Sequence, residues 1–139
     1  MSAVPHQVSC VAIGGRAVLI EGPPGSGKSS LALALIDRGA ALIGDDGVQL
    51  ERRGGALWAL PPPNIAGLLE IRNVGLATLR AEAAPVALVL RLDPDAPRLP
   101  EHAERTELAG TALPLVRLWP GSSVLALRAE WALALHGTR

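Results

Sequence analysis

The chain has 139 residues, 49% of them apolar, and a formal net charge of zero, so it is long enough for one folded domain over residues 1–139. Without excess positive charge it has no general attraction for nucleic acid or an anionic membrane, and we predict neither as a partner. One cysteine excludes an internal disulfide, and no apolar run is long enough for a transmembrane helix. With no signal peptide pattern, these features favour a cytoplasmic protein.

The chain begins with two predicted strands. Residues 6–13 alternate loosely and are rich in β-branched side chains, Gly14-Gly15 is a turn signal, and residues 16–21 are again apolar. Two strands joined by a glycine pair are typical of a β-hairpin. His6 lies in the first strand. It is a surface histidine in one interpretation and lies near a phosphate site in the other.

The segment after this hairpin has the pattern of a phosphate-binding loop, G-x-x-x-x-G-K-[ST], between a strand and a helix predicted over residues 29–38. Glycines let backbone N–H groups surround a phosphate, and the helix N-terminus adds further donors. The lysine of such a loop reaches the β- and γ-phosphates of ATP, and the hydroxyl after it binds Mg²⁺. We therefore predict an ATP site formed by Gly22, Pro23, Pro24, Gly25, Ser26, Gly27, Lys28, Ser29 and Ser30.

Lys28 is the only lysine among 13 Lys and Arg residues. A planar guanidinium does not replace a compact ammonium between phosphates. This composition supports the phosphate-binding interpretation over that of a glycine-rich turn at the start of a helix.

Two adjacent carboxylates, Asp45 and Asp46, follow a short strand predicted over residues 40–43. One could hold Mg²⁺, and the other could accept a proton from an attacking hydroxyl. The alternative is an Asp-rich turn, because Asp and Gly favour turns. Asp93 competes for the metal, since it ends a buried-type strand over residues 86–93 in the manner of a Walker B motif. It also fits a strand-terminating Asp-Pro turn.

The remaining elements do not alternate as regular βαβ units. They are strands over 48–51, 56–60 and 74–80, a short helical turn after Pro61-Pro62-Pro63, a charged mobile loop over 94–107, an extended segment over 108–119, and a final helix over 124–136. This order predicts an α/β domain with a mixed, partly antiparallel sheet.

Three arginines in these segments have two interpretations each. Arg72 contacts a phosphate or pairs with Glu70 on the surface. Arg98 and Arg105, in the charged loop, either clamp a transferred phosphate or are solvated.

Four features together resemble the catalytic domain of the HPr kinase/phosphorylase family, in its short single-domain form. They are His6 upstream of the phosphate-binding loop, the loop itself, the pair Asp45-Asp46, and the signature Leu68-Leu69-Glu70-Ile71-Arg72. The resemblance extends from His6 to about Trp131. It implies a P-loop fold akin to that of phosphoenolpyruvate carboxykinase.

The same resemblance implies an ATP-dependent protein kinase that phosphorylates a serine of the phosphocarrier protein HPr, or of a related phosphotransferase-system protein. Many members also run the reverse phosphorolysis. By position, Asp45 would be the acid/base residue, and Ser29 and Asp46 would contact Mg²⁺. Lys28, Arg72 and Arg98 would surround the transferred phosphate, and His6 matches the family histidine near the active site. Asp93 becomes a strand-end residue.

Three residues depart from the family pattern. Ser30 stands where an acidic residue is usual, Asn73 where glycine is usual, and Ser122 where an arginine follows Pro-Gly. Two alternatives therefore stay open beside the protein kinase: a non-catalytic ATP-sensing regulatory module and a small-molecule P-loop kinase. Whether the chain forms a homo-oligomer also stays open.

Overall fold

The computed structural model describes residues 4–6 as backbone and residues 8–139 in full. The elements of this part of the chain are β1 Val4–His6, β2 Ser9–Ile13, β3 Arg16–Glu21, α1 Lys28–Asp37, β4 Ala41–Gly44, β5 Val48–Arg53, β6 Ala56–Leu60, β7 Leu68–Ile71, β8 Gly75–Thr78, β9 Ala84–Leu92, β10 Glu104–Leu108, β11 Thr111–Leu118 and α2 Leu125–His136.

Nine of these strands form one mixed sheet. Its main path is β1-β5-β6-β9-β3-β2-β4, and β11 pairs with β9 and β10 with β11. The β3–β9 and β9–β11 pairs are parallel, and the other strand pairs are antiparallel. The strands β7 and β8 form a separate two-stranded hairpin. The predicted mixed, partly antiparallel sheet is confirmed.

The central strand of this sheet is β9. It pairs with β3 along one edge, with β11 along the other, and with β6 at its start. Seven of its nine residues are buried. A nearly continuous apolar strand is what a parallel strand covered on both faces requires.

Alternating side chains of the parallel strands enter two cores. Val18, Ile20 and Leu90 face the helices α1 and α2. Leu19 and Val89 face the opposite way, toward the layer that includes β5 and β6. Since the side-chain period of a strand is two residues, both faces of β3 and β9 are buried. The carboxyl ends of β3, β9 and β11 therefore meet at one rigid edge, where ligands of open α/β sheets usually bind.

Most predicted elements are confirmed, with differences that come from tertiary pairing. The strand over 16–21, its hairpin with the preceding strand and the turn at Gly54-Gly55 are as predicted. The segment 6–13 is two strands, because β1 pairs with β5 whereas β2 pairs with β3 and β4.

Two predictions about the other segments are wrong. The second half of the predicted loop over 94–107 contains β10, an edge strand held by β11. Its exposed charged side chains make the segment resemble a loop. Edge strands often carry such charges, which protect them from pairing with other chains. Residues 63–67 form turns rather than a helical turn.

Asn73 adopts a left-handed backbone conformation, with φ of 70°. It lies in the turn between β7 and β8, where the Val74 N–H donates to the Ile71 carbonyl at 2.9 Å. Glycine and asparagine are the residues that enter this region most readily. Asparagine in place of the usual glycine at this position therefore preserves the turn.

We predict that Asn73→Gly leaves the free energy of unfolding nearly unchanged, whereas Asn73→Val lowers it by about 1–2 kcal/mol, the cost of a left-handed β-branched residue. Urea unfolding of both variants measures this. Thr78→Val, at an exposed position of β8, is the control for adding a valine to the hairpin. Equal stability of the valine and glycine variants at position 73 would contradict the prediction.

Candidate active site

The phosphate-binding loop lies between the end of β3 and the start of α1. Gly25 and Gly27 have φ of 78° and 101°, and the Ser26 N–H donates to the Pro23 carbonyl at 3.1 Å. Gly27 is the residue before α1, and no side chain caps this helix end. The N–H groups of the first helical turn are therefore open to an anion, and the helix dipole favours negative charge there.

Lys28 closes this loop from the helix side. Its half-buried ammonium donates to the Gly22 carbonyl at 3.0 Å. A Cβ on Gly22 would lie 2.6 Å from Ser26 Oγ and 3.2 Å from Leu92 Cβ, so any side chain there would displace Ser26 Oγ and press on the end of β9. Ser26 Oγ is buried without a hydrogen-bond partner in the described part of the chain. An unpartnered hydroxyl beside an ammonium and an open helix end fits a phosphate group.

Asp45 is the point at which three other elements meet. Ser29 Oγ, on α1, donates to Asp45 Oδ1 at 2.6 Å, and Ser9 Oγ, on β2, donates to the same oxygen at 3.3 Å. The Glu70 N–H, on β7, donates to Asp45 Oδ2 at 3.3 Å. Donors from three separate elements restrict the orientation of this carboxylate. The carboxylate is thereby held beside the first turn of the P-loop helix.

The turn that presents Asp45 depends on glycine. A Cβ on Gly44 would collide with the Gly47 carbonyl, so the backbone can fold back on itself only without a side chain there. Asp46, inside this turn, has φ of 54° and is exposed. Within residues 8–139 it makes no hydrogen bond or ion pair. The structure therefore brings Asp45, and not Asp46, against Ser29.

The other predicted site residues lie further out. Arg72 is exposed in the β7–β8 turn, and no ion pair joins it to Glu70. Arg98 is exposed in the loop after β9. Arg105 lies on β10 and donates to the Ala112 carbonyl at 3.5 Å. The side chain of His6 lies outside the described residues. Ser30 is exposed on α1, beside Ser29.

Asp93 belongs to an ion-pair cluster at the same edge of the sheet. Arg117 Nη1 lies 3.0 Å from Asp93 Oδ2, and Arg117 Nε lies 2.7 Å from Glu104 Oε2. The Asp95 N–H donates to Asp93 Oδ1 at 2.8 Å, which closes the predicted Asp-Pro turn. These bonds engage both carboxylate oxygens of Asp93, as expected of a strand-end residue.

Sequence analysis missed this cluster and the pair between Glu21 and Arg91, whose atoms Oε1 and Nη2 lie 2.6 Å apart. Glu21 pairs with Arg91 across β3 and β9, and Arg91 pairs with Arg117 across β9 and β11. Opposite charges directly across a sheet attract, and two arginines side by side need carboxylates nearby. Strand register was the signal that would have revealed these pairs.

The oxygen donors of the site suit Mg²⁺. Within residues 8–139 no three or more His, Cys, Asp or Glu side chains cluster as a metal site. Magnesium needs no such cluster, because one or two protein oxygens and the phosphates of a nucleotide complete its shell. The Ser29 hydroxyl and the carboxylates of the adjacent turn, which Ser29 meets through its 2.6 Å bond to Asp45, are hard oxygen donors of this kind. None of the described helices is both long and apolar enough to span a bilayer.

Known proteins resemble this chain in sequence. Residues 2–82 match the family model described as HPr Serine kinase C-terminal domain. HPr kinase/phosphorylase of Chlorobium chlorochromatii is 34% identical over 136 residues, which cover 86% of this chain and 41% of that protein. The enzyme of the same name from Streptococcus thermophilus is 36% identical over 122 residues, covering 78% of this chain and 40% of that protein. The chain thus spans about two fifths of these relatives.

A solved structure gives the same result for the fold. The Hpr(Ser) kinase/phosphatase from Coxiella burnetii superposes with a TM-score of 0.81 at 26% sequence identity. The match covers 94% of this chain and 88% of that chain. The expected P-loop fold of the HPr kinase type is confirmed.

The Arg117 cluster predicts how stability depends on pH. The Asp95 N–H and the Arg117 guanidinium hold the pKa of Asp93 below its ordinary value, and a hydrogen bond from Arg117 does the same for the pKa of Glu104. A carboxylate with a lowered pKa stabilises the folded state above its unfolded pKa, about 3.9 for Asp and 4.3 for Glu, and this contribution is lost as the pH falls through the folded pKa.

We therefore expect Arg117→Gln to lower the urea midpoint at about pH 7 and to lower it less at about pH 3, which lies below the unfolded pKa of both carboxyls, where part of this contribution is lost. Arg128→Gln, an exposed arginine on α2, is the control and should change neither value. An Arg117→Gln difference of the same size at both pH values would contradict the prediction.

Proposed function

Because the chain belongs to the family of HPr serine kinase C-terminal domains, we propose that it transfers the γ-phosphoryl group of ATP to a serine of the phosphocarrier protein HPr or a related protein. The relatives are named HPr kinase/phosphorylase, and the name of the structural neighbour, Hpr(Ser) kinase/phosphatase, specifies serine. The observation that carries the proposal is the 2.6 Å hydrogen bond from Ser29 to Asp45. It places a carboxylate beside the first turn of the phosphate-binding helix.

Nucleotide binding uses the loop as it stands. The open N–H groups at the start of α1 and the backbone of Gly25 and Gly27 would hold the β- and γ-phosphates. Lys28 exchanges the Gly22 carbonyl, 3.0 Å from its ammonium, for phosphate oxygens. A charged acceptor makes the stronger bond, so this exchange favours binding.

Transfer uses Asp45 as the acid/base residue. The serine oxygen of the acceptor bonds to the γ-phosphorus, and its proton passes to the Asp45 carboxylate. The bond from the γ-phosphorus to the bridging oxygen breaks, and ADP leaves with the electron pair. The hydrogen bonds from Ser9, Ser29 and Glu70 orient the carboxylate for this proton transfer. Arg72 and Arg98 approach the transferred group from their exposed positions. In phosphorolysis, an oxygen of inorganic phosphate bonds to the phosphorus of the phosphoserine. The bond from this phosphorus to the serine oxygen breaks, Asp45 returns a proton to that oxygen, and pyrophosphate leaves.

Mg²⁺, when bound, supplies positive charge at the β- and γ-phosphate oxygens. We assign Ser29 and Asp46 to it, as family position implies. The exposed carboxylate of Asp46 is open to the ion, and Ser30 follows Ser29 on the same helical turn. An acidic residue at position 30 would add a second negative charge near the metal. The affinity for Mg²⁺ should therefore be lower with serine at this position.

We predict that Lys28→Ala abolishes ATP-dependent phosphorylation because the charge at the phosphates is lost. Lys28→Arg keeps the charge but not the compact ammonium, and it should not restore activity. Transfer of labelled γ-phosphate and ATP binding measure both variants. Full activity of Lys28→Ala would contradict the assignment of the loop.

We predict that Asp45→Asn retains MgATP binding and slows single-turnover transfer to HPr by about 10²–10⁴-fold, as loss of a general base does. Asp46→Asn is the matched variant. It should raise the Mg²⁺ concentration needed for half-maximal transfer and leave the rate at saturating Mg²⁺ nearly intact. If Asp45→Asn instead loses MgATP binding, Asp45 is a metal residue.

One alternative has an observation in its favour. Ser30 and Ser122 both lack the charge that the family usually has there, and Ser122 Oγ accepts a hydrogen bond from the Val124 N–H at 3.1 Å. A domain that binds ATP without transferring phosphate would tolerate both losses. MgATP binding without transfer to HPr would favour this sensor. The comparisons do not favour a small-molecule kinase, since the relatives described above are named as kinases of a protein.

A further inference from the structure

The β7–β8 hairpin is anchored at its base and free at its tip. Leu69 is completely buried and faces inward. At the base, the Leu79 N–H donates to the Gly67 carbonyl at 2.7 Å, and a Cβ on Gly67 would collide with the Leu79 carbonyl. This close approach closes the base of the hairpin.

The tip presents apolar side chains to solvent. Val74 is 78% exposed and Leu76 is 71% exposed, and Ile65, beside the base, is 47% exposed. Residues 70–76 line an open cavity of about 450 Å³. A turn usually carries polar residues, and clustered exposed apolar side chains mark interaction surfaces.

The hairpin that carries this apolar tip contacts the proposed acid/base residue through β7. The Glu70 N–H donates to Asp45 Oδ2 at 3.3 Å. Leu76 lies directly opposite Glu70 in the hairpin register. Residues opposite each other in an antiparallel pair have Cα atoms about 4.5–5.5 Å apart. Asp45 thus lies at one edge of β7 and Leu76 at the other, so a chain whose serine lies at Asp45 reaches Leu76, and beyond it Val74, by crossing β7.

On the basis of the proposed function, we propose that the hairpin tip, formed by Arg72, Val74 and Leu76, is the docking surface for the protein acceptor. The acceptor segment carries an apolar side chain within a few residues of its serine. That side chain packs on Val74 and Leu76. Arg72, in the same turn, faces the serine once it carries a phosphate, since a guanidinium pairs well with phosphate oxygens.

The test is the kinetics of transfer to purified HPr by Leu76→Gln and Val74→Thr. We expect each variant to raise the KM for HPr, by about tenfold for Leu76→Gln, since truncating an apolar contact at the centre of an interface weakens binding to that degree. Affinity for MgATP and the rate at saturating HPr should stay unchanged. Both side chains are exposed, so the variants should keep the thermal unfolding midpoint of the wild type.

Leu135→Gln is the matched control, because Leu135 is also 71% exposed but lies on α2. It should leave the KM for HPr unchanged. An equal rise in this control, or an unchanged KM in both hairpin variants, would overturn the docking surface while the proposed function stands. Absence of any transfer by the wild type would overturn both. Sedimentation velocity tests whether the tip instead binds a second copy of this chain. If Leu76→Gln dissociates a wild-type dimer, the tip is a dimer interface and the proposal is wrong.

Discussion

The hydrogen bond from Ser29 to Asp45 holds the site together. At 2.6 Å between Oγ and Oδ1, it joins the first turn of α1 to the turn after β4. Those two segments carry the nucleotide loop and the carboxylate pair, which are separate in sequence. Ser9 and Glu70 bind the same carboxylate from β2 and β7. One side chain thus fixes the relative position of four elements.

The large sheet supplies the rigid edge on which this arrangement rests. Strand β9 lies between β3 and β11, and the ends of all three point toward the P-loop. Leu92, the last residue of β9, lies so close to Gly22 that a Cβ at position 22 would be 3.2 Å from Leu92 Cβ. Next to it, the pairs formed by Arg91 and Arg117 tie the strand ends together. The loop therefore begins from a fixed backbone, as catalytic positioning requires.

Sequence analysis succeeded where the signal is local. The P-loop, the bounds of β3 and the turn at Gly54-Gly55 each follow from glycines and apolar runs that are close in sequence. The same holds for the Asp-Pro turn at Asp93, whose side chain bonds two residues on. Such features depend on backbone sterics and short-range hydrogen bonds, which do not change with the rest of the fold.

Sequence analysis failed where the interacting residues lie far apart in the sequence. The strand β10 is charged and exposed, and only pairing with β11 makes it a strand. Sequence could not decide which carboxylate of the Asp45-Asp46 pair would meet Ser29, because this depends on how the turn is oriented by Gly44 and β7. The ion pairs of Arg117 likewise require the register of β9 and β11. Long-range pairing overrides local pattern in each case.

The central claim is that the P-loop helix and the carboxylate turn form one unit before nucleotide binds. A double-mutant cycle with Ser29→Ala and Asp45→Ala, measured as the free energy of urea unfolding without nucleotide, tests it most directly. The account predicts a coupling of about 1.5–3 kcal/mol, as for a hydrogen bond to a charged group. Additivity of the two single effects would show that the helix and the turn are independent and would contradict the account.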